Sequence, residues 1–327
     1  MSISLAAGPQ VVAIPGPSVV PQRVLAAMAR PMPDIYDGEL LPVTDEVFDL
    51  LPGLARTTSR GFVTISNGHG AWEMALTNTL SRGDRVLVLE CGRFAQVWAD
   101  MATFDGLDVE MMVAEPGRAI DTSAVEQRLR ADAERTIKAV LSVHVDTASS
   151  IRNDVGALRR AIDAADHPAL LMADCIASLG CERVEMDAWG VDVTIAASQK
   201  GLMTPPGLGF VWAGPRALAA STTADLKTRY WDWASRTEHG PHYLRFCGTP
   251  PVAHLFGFRE ALRMIEEEGL EARWSRHRVL ADAVRAAVDA WSAPDGLRLH
   301  ALEPGERGDS VTTIETGCVD AERLRSV

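Results

Sequence analysis

Apolar positions along the chain fall into two patterns. Short apolar runs occupy 62–65, 85–89, 109–114, 136–145, 170–173 and 191–196. Bounded by Gly, Asp or Ser, they read as strands. Between them, 71–80, a stretch from 93 to about 101, 124–131 and 155–165 carry apolar residues at three-to-four spacing, which marks a helix with one buried face. Strands alternating with helices predict an α/β fold: a mostly parallel sheet flanked by helices, with any site at strand C-terminal ends. The two ends of the chain read differently. Pro15, Gly16, Pro17 and Pro21 exclude a helix or a central strand there, so 1–22 is expected to be a loop-like arm. Pro21 opens a predicted helix over 22–29, and 45–55 reads as another. Two long helices, 252–267 and 271–290, precede expected strands at 297–302 and 310–314 and a helix beginning at 321–326. The division this suggests is an arm (1–22), a large domain (23–267) and a smaller C-terminal domain (268–327).

Composition narrows the class. The chain has 327 residues, 47% hydrophobic and 23% charged. It can bury a sizeable core, so neither disulfides nor a metal are required. A net charge of −12 argues against a nucleic-acid or anionic-membrane partner, which would favour a basic face. Cys91, Cys175, Cys181, Cys247 and Cys318 have neither CxxC nor zinc spacing, so free thiols in a reducing cytosol and no metal site are expected. There is no basic leader and no apolar stretch that reads as a membrane span. A cytoplasmic protein is expected.

Two predicted strand ends carry candidate chemistry. The run 191–196 leads into Ala197-Ser198-Gln199-Lys200-Gly201, and the run 170–173 ends in Asp174. A lone lysine is usually a solvated surface residue. A lysine and an acid on neighbouring strand ends are also what a pyridoxal phosphate (PLP) site needs. The amine forms the Schiff base, and the carboxylate keeps the pyridine nitrogen protonated. Strand 62–65, then Ser66-Asn67-Gly68-His69-Gly70, then helix 71–80 is either a phosphate-binding turn or a plain tight connection.

Four segments together make the sequence familiar: Asp174-Cys175-Ile176-Ala177-Ser178-Leu179-Gly180, Asp187-Ala188-Trp189-Gly190-Val191-Asp192, Ser198-Gln199-Lys200-Gly201-Leu202-Met203 and Pro205-Pro206-Gly207-Leu208-Gly209-Phe210. They resemble the class V aminotransferases of PLP fold type I, nearest the serine–glyoxylate and alanine–glyoxylate group. The resemblance runs from about Val12 to the end of the chain. It implies that Lys200 is the catalytic Schiff-base lysine and that Asp174 bonds the pyridine nitrogen. Ile176 would pack on one ring face and Phe94 would stack on the ring. Thr147 would touch the ring, preceded by Asp146 where the family often has Glu. Gly68 and His69 would hold the phosphate, mainly through backbone, with Gln199 nearby. Gly16, in the Pro-Gly-Pro segment, would lie on the substrate side. Thr249 would reach across a dimer interface to the partner's PLP phosphate. Phe246 stands where relatives have a Tyr and lacks its hydroxyl. Tyr230-Trp231-Asp232-Trp233 also matches a family segment, without an assigned role.

The activity so implied is transfer of an amino group from a small amino acid, serine or alanine, to a 2-oxo acid such as glyoxylate, by a homodimer. Family members continue for several dozen residues past the match to Val327, and that tail carries the arginine that grips the substrate carboxylate. The expectation is an incomplete C-terminal α+β domain and a chain that binds PLP better than it transaminates. Two alternatives stand beside this: a truncated, catalytically weak chain that only dimerises or binds PLP, and a class V lyase or desulfurase. Against the second, those enzymes usually have His where Gln199 stands.

Overall fold

Alternate residues of the central strands bury into opposite layers, and this sets the architecture. The computed structural model describes residues 14–236, 240–292 and 296–322. Seven strands form one sheet: β1 (Arg60–Ser66), β2 (Arg85–Glu90), β3 (Asp108–Val113), β4 (Ile137–Val143), β5 (Leu170–Asp174), β6 (Val193–Ala197) and β7 (Gly207–Ala213), in the order β1-β7-β6-β5-β4-β2-β3. All pairings are parallel except those of β7, which runs antiparallel to both β1 and β6. Strand β7 was legible only as a Pro/Gly-rich motif, because Gly207 and Gly209 interrupt its apolar run.

One layer buries Leu87, Leu89, Val140, Leu171, Phe210 and Trp212. Against it pack α1 (Gln22–Met28), α2 (Leu40–Leu54), α5 (Thr122–Ala131), α6 (Val155–Ala164), the short α7 (Met186–Trp189) and α9 (Val252–Glu268). The other layer buries Val86, Val88, Leu141, Met172, Ile195 and Val211 against α3 (Gly68–Thr79), α4 (Arg93–Phe104) and α8 (Pro215–Ala220). Helices on both faces are the signature of crossover-connected parallel strands.

Several boundaries differ from expectation for identifiable reasons. Helix α2 starts at Leu40 rather than 45, because Pro42 falls in the first turn, where a missing N–H costs nothing. Helix α3 starts at Gly68 rather than 71, because the Asn67 side chain caps it, accepting from His69 N and Gly70 N. The helix α10 (Leu270–Trp291) follows α9 after the single residue Gly269, whose φ of 81° ends α9. Its outer face leaves Leu280, Val284 and Trp291 exposed.

Of the two strands expected near the C-terminus, only β8 (Arg298–Leu299) and β9 (Ile314–Glu315) pair, antiparallel. The chain between them hydrogen-bonds elsewhere instead: Leu302 N to Gly117 O, Gly308 N to Ser150 O, and Glu306 O from Arg152 N. The expected helix at 321–326 falls mostly outside the described residues, as does the arm before Ile14. No helix among the described residues is long and apolar enough to cross a membrane. Ion pairs such as Arg263–Glu46 and Arg23–Glu267 tie helices together. Among the described residues the cation is always arginine or, less often, histidine.

The layer assignment makes a stability prediction. Phe258 is fully buried and its ring centre lies 4.7 Å from that of Phe210. Phe258→Ala is expected to cost about 3–5 kcal/mol. Phe104, 92% exposed, should cost less than about 0.5 kcal/mol when cut to Ala. Urea unfolding followed by circular dichroism separates the two, and equal midpoints would contradict the assignment.

Candidate active site

Parallel pairing of β5 with β6 sets Asp174 opposite Ile195, and both strands deliver their following loops to the same edge of the sheet. Beyond β6 the chain closes on itself. Ser198 N donates to Leu208 O at 3.0 Å, Ser198 Oγ donates to Pro205 O at 2.7 Å, and Met203 N donates to Lys200 O at 3.0 Å. Lys200 thus sits on a tight turn pinned at both ends.

The N-terminal segment holds that turn from outside. Ser18 N donates to Gln199 O and Ser18 Oγ to Lys200 O, both at 2.8 Å, while Lys200 Nζ donates to Pro15 O at 2.5 Å. A Cβ on Gly16 would fall 2.6 Å from that amine, so only glycine allows this approach. Half-buried, Lys200 has its pKa lowered by desolvation, with Asp174 opposing the shift.

Asp174 is fully buried. Its Oδ1 accepts from Ile176 N at 2.7 Å and its Oδ2 from Trp72 Nε1 at 3.1 Å. Burial nevertheless pushes its pKa up to about 7. The nearby Asp146 adds to this, while the two bonds and Lys200 pull the other way. A carboxylate with this little hydration and no charge-paired hydrogen bond is configured to meet a cation.

Trp72 reaches Asp174 from α3, fixed by stacking on Trp98 with ring centres 5.5 Å apart. The same helix offers its N-terminus to the cleft. Asn67 Oδ1 already accepts from His69 N at 3.0 Å and Gly70 N at 3.4 Å. The backbone contact expected at His69 is therefore shared with Asn67, a residue to which neither pattern nor resemblance assigns a role. The His69 ring packs on Trp72, and burial lowers its pKa.

Phe94 stands at the start of α4, where its N donates to Asp146 Oδ2 at 2.8 Å. Asp146 Oδ1 takes Ala148 N at the same distance. Asp146 is fully buried and so joins the Phe94 loop to the one carrying Thr147.

Gly68, His69, Phe94, Thr147, Asp174, Ile176, Gln199 and Lys200 line one narrow cleft with Trp72. It shares Thr147, Ala177 and Lys200 with an outer cavity of about 290 Å³ that also touches Gly16, Arg273, Arg276 and His277. Gln199 Oε1 is buried without a partner. Thr249 is not brought in: it is exposed, between a 3₁₀ turn (His242–Phe246) and α9. Phe246 is 1% exposed and packs edge-on to Phe48, so its ring serves the core. A larger cavity, about 840 Å³, lies away from this cleft, beside Trp189, Trp274 and Glu306. It holds neither Lys200 nor Asp174, so size does not mark the chemistry here.

Among known proteins, the class V aminotransferase family model matches residues 57–327. The serine–glyoxylate aminotransferase of Methylorubrum extorquens is 41% identical over 307 residues, 92% of this chain and 75% of that one. The L-aspartate–glyoxylate aminotransferase of Paracoccus denitrificans is 39% identical over the same shares. The crystal structure of an alanine–glyoxylate aminotransferase from Nostoc superposes with a TM-score of 0.85 at 26% identity, covering 99% of this chain and 87% of that one. The mostly parallel sheet with helices on both faces is that of PLP enzymes of fold type I, and the chain belongs to the class V aminotransferases.

Proposed function

We propose that this chain is a PLP-dependent transaminase that moves an amino group from a small amino acid to glyoxylate, with serine or alanine as donor. The observation that carries this reading is the convergence of a fully buried acid, Asp174, and a half-buried amine, Lys200, on one cleft. The named relatives have different amino donors but share glyoxylate.

The residues fit the cofactor. Asp174 is a buried acceptor suited to a protonated pyridine nitrogen. Gln199 Oε1 is buried and unpartnered, so an amide turned the other way would offer its N–H₂ to a phosphate. The start of α3 adds backbone dipole at the same end, and turning the Asn67 amide would free His69 N for the anion. Ile176 and Phe94 supply apolar surface for a ring. PLP, when bound, supplies an electron sink for charge developing at the substrate Cα.

Lys200 does the rest of the chemistry. Its amine would hold the cofactor and, once released by substrate, would act as general base at the substrate Cα and as general acid at the cofactor's C4′ carbon. Desolvation favours the neutral amine that both tasks need. We further infer a homodimer in which exposed Thr249 meets the phosphate of the partner's cofactor.

The chain has three lysines, Lys138, Lys200 and Lys227. Borohydride reduction of the PLP-loaded protein followed by peptide mapping should place the pyridoxyl group on Lys200, and a label on either other lysine would refute its role. Asp174→Asn should lower kcat/KM for serine–glyoxylate exchange roughly 10- to 150-fold, the equivalent of one charge-assisted hydrogen bond. The same variant carries a pH prediction for the cofactor-free protein. Asp174 titrates at about 7 when folded and near about 3.9 when unfolded. The folded state therefore keeps a proton that the unfolded state loses, and wild-type stability falls as pH rises from about 4 through about 7. Asp174→Asn lacks this loss, so it should be at least as stable as wild type at pH 8. Thermal unfolding at pH 5 and pH 8 checks this; a variant markedly less stable at pH 8 would show the acid to be structural.

A further inference from the structure

On α10, Arg273 points inward and is 3% exposed. Its Nε donates to Gly180 O at 3.0 Å and its Nη2 to Gly201 O at 2.9 Å, while Nη1 meets Glu268 Oε2 at 3.2 Å. Gly180 belongs to the loop that leaves Asp174, and Gly201 follows Lys200. These two loops touch backbone to backbone: a Cβ on Gly180 would lie 3.1 Å from Gly201 O, and one on Gly201 would clash with Leu179 O. A planar guanidinium presents parallel donors at a fixed spacing. One fork therefore fixes the separation of two loops whose strands carry the acid and the amine.

We propose that Arg273 is a positioning residue that holds the Lys200 turn against the Asp174 loop and so couples α10 to the geometry of the active site. This rests on the transaminase reading for its consequence on turnover, but the clamp itself concerns only the protein. The charge of Arg273 is paired with Glu268 through Nη1, and its remaining fork, Nε and Nη2, is given to the two loop carbonyls. A small displacement of a reacting group is enough to lower turnover roughly 10- to 100-fold.

The test reads the Lys200 amine directly in PLP-free protein. Trace acetylation is measured across pH by mass spectrometry, with Lys138 and Lys227 as internal references. The titratable groups facing Lys200 besides Arg273 are Asp174, Cys181, Arg276 and His277. In Arg273→Met the loops part and the turn becomes more hydrated. Loss of the cation would by itself raise the midpoint of Lys200 labelling, so Arg273→Lys, which keeps the charge and loses the fork, is read beside it. In both the midpoint should rise by roughly 0.5–1 in pH, and in loaded enzyme kcat should fall more than KM changes. Arg285→Met is the control. Arg285 lies on the same helix, bonds Gly308 O and Asp309 Oδ1, and stays away from the cleft. It should destabilise the fold yet leave the Lys200 midpoint in place. An unchanged midpoint in either Arg273 variant, or an equal rise in Arg285→Met, overturns the proposal. Should Arg273→Met fail to fold, Arg273→Lys carries the test: an ammonium lacks the fork that bridges both carbonyls, so its midpoint must still rise, and a wild-type midpoint overturns the proposal. A wild-type protein that binds no PLP would instead refute the transaminase reading, and the labelling comparison would still decide the role of Arg273.

Discussion

A carboxyl group held away from water is the constraint on which this site turns. Asp174 has two hydrogen bonds and no cation bonded to it, and burial still dominates its behaviour. The surrounding fold maintains that cost. Trp72 holds one oxygen only because α3 and α4 pack together and stack it on Trp98. Ile176 N holds the other because the chain turns sharply after β5. Loosening either helix would let water reach the acid and return it to an ordinary surface aspartate. Burying this acid costs stability, a cost that perturbed groups at functional sites commonly carry.

Much of this was legible in the sequence, and the reasons differ by residue. Lys200 and Asp174 could be found because Asp174 ends one apolar run and Lys200 lies just past the end of another, and a parallel sheet aligns such ends on one edge. The cap at Asn67 is legible too: an Asn directly before a helical pattern is a standard start signal, although Gly68 and Gly70 make the same stretch read as a Gly-rich turn that delays the helix to 71. The Trp72–Asp174 bond could not be found, since it joins residues far apart in the chain, and an indole inside an apolar helix face reads as core. Arg273 was equally hidden. A charged residue on an amphipathic helix is expected in solvent, and nothing in its neighbours announces that it turns inward. The two C-terminal strands shrank because their connecting segment is claimed by Gly117, Ser150 and Arg152, a competition invisible to local pattern.

The N-terminal segment illustrates how a resemblance and a structure answer different questions. Similarity implied that Gly16 lies near substrate. The geometry adds why the residue must be small: the lysine amine rests against it and bonds its neighbour's carbonyl. If Lys200 carries the cofactor as proposed, that bond has to be given up, and the segment and the cofactor would compete for one amine.

The preference for arginine in the ion pairs has a chemical side. A protein proposed to handle both PLP and glyoxylate is bathed in aldehydes. Free amines condense with aldehydes, whereas guanidinium groups, protonated at every physiological pH, scarcely do so. With arginine holding the surface together and lysine reduced to three positions, the chain offers reactive carbonyls few amines other than the one in its cleft. If Lys200 is the reactive amine as proposed, selectivity for it would be set partly by how few other lysines the chain contains.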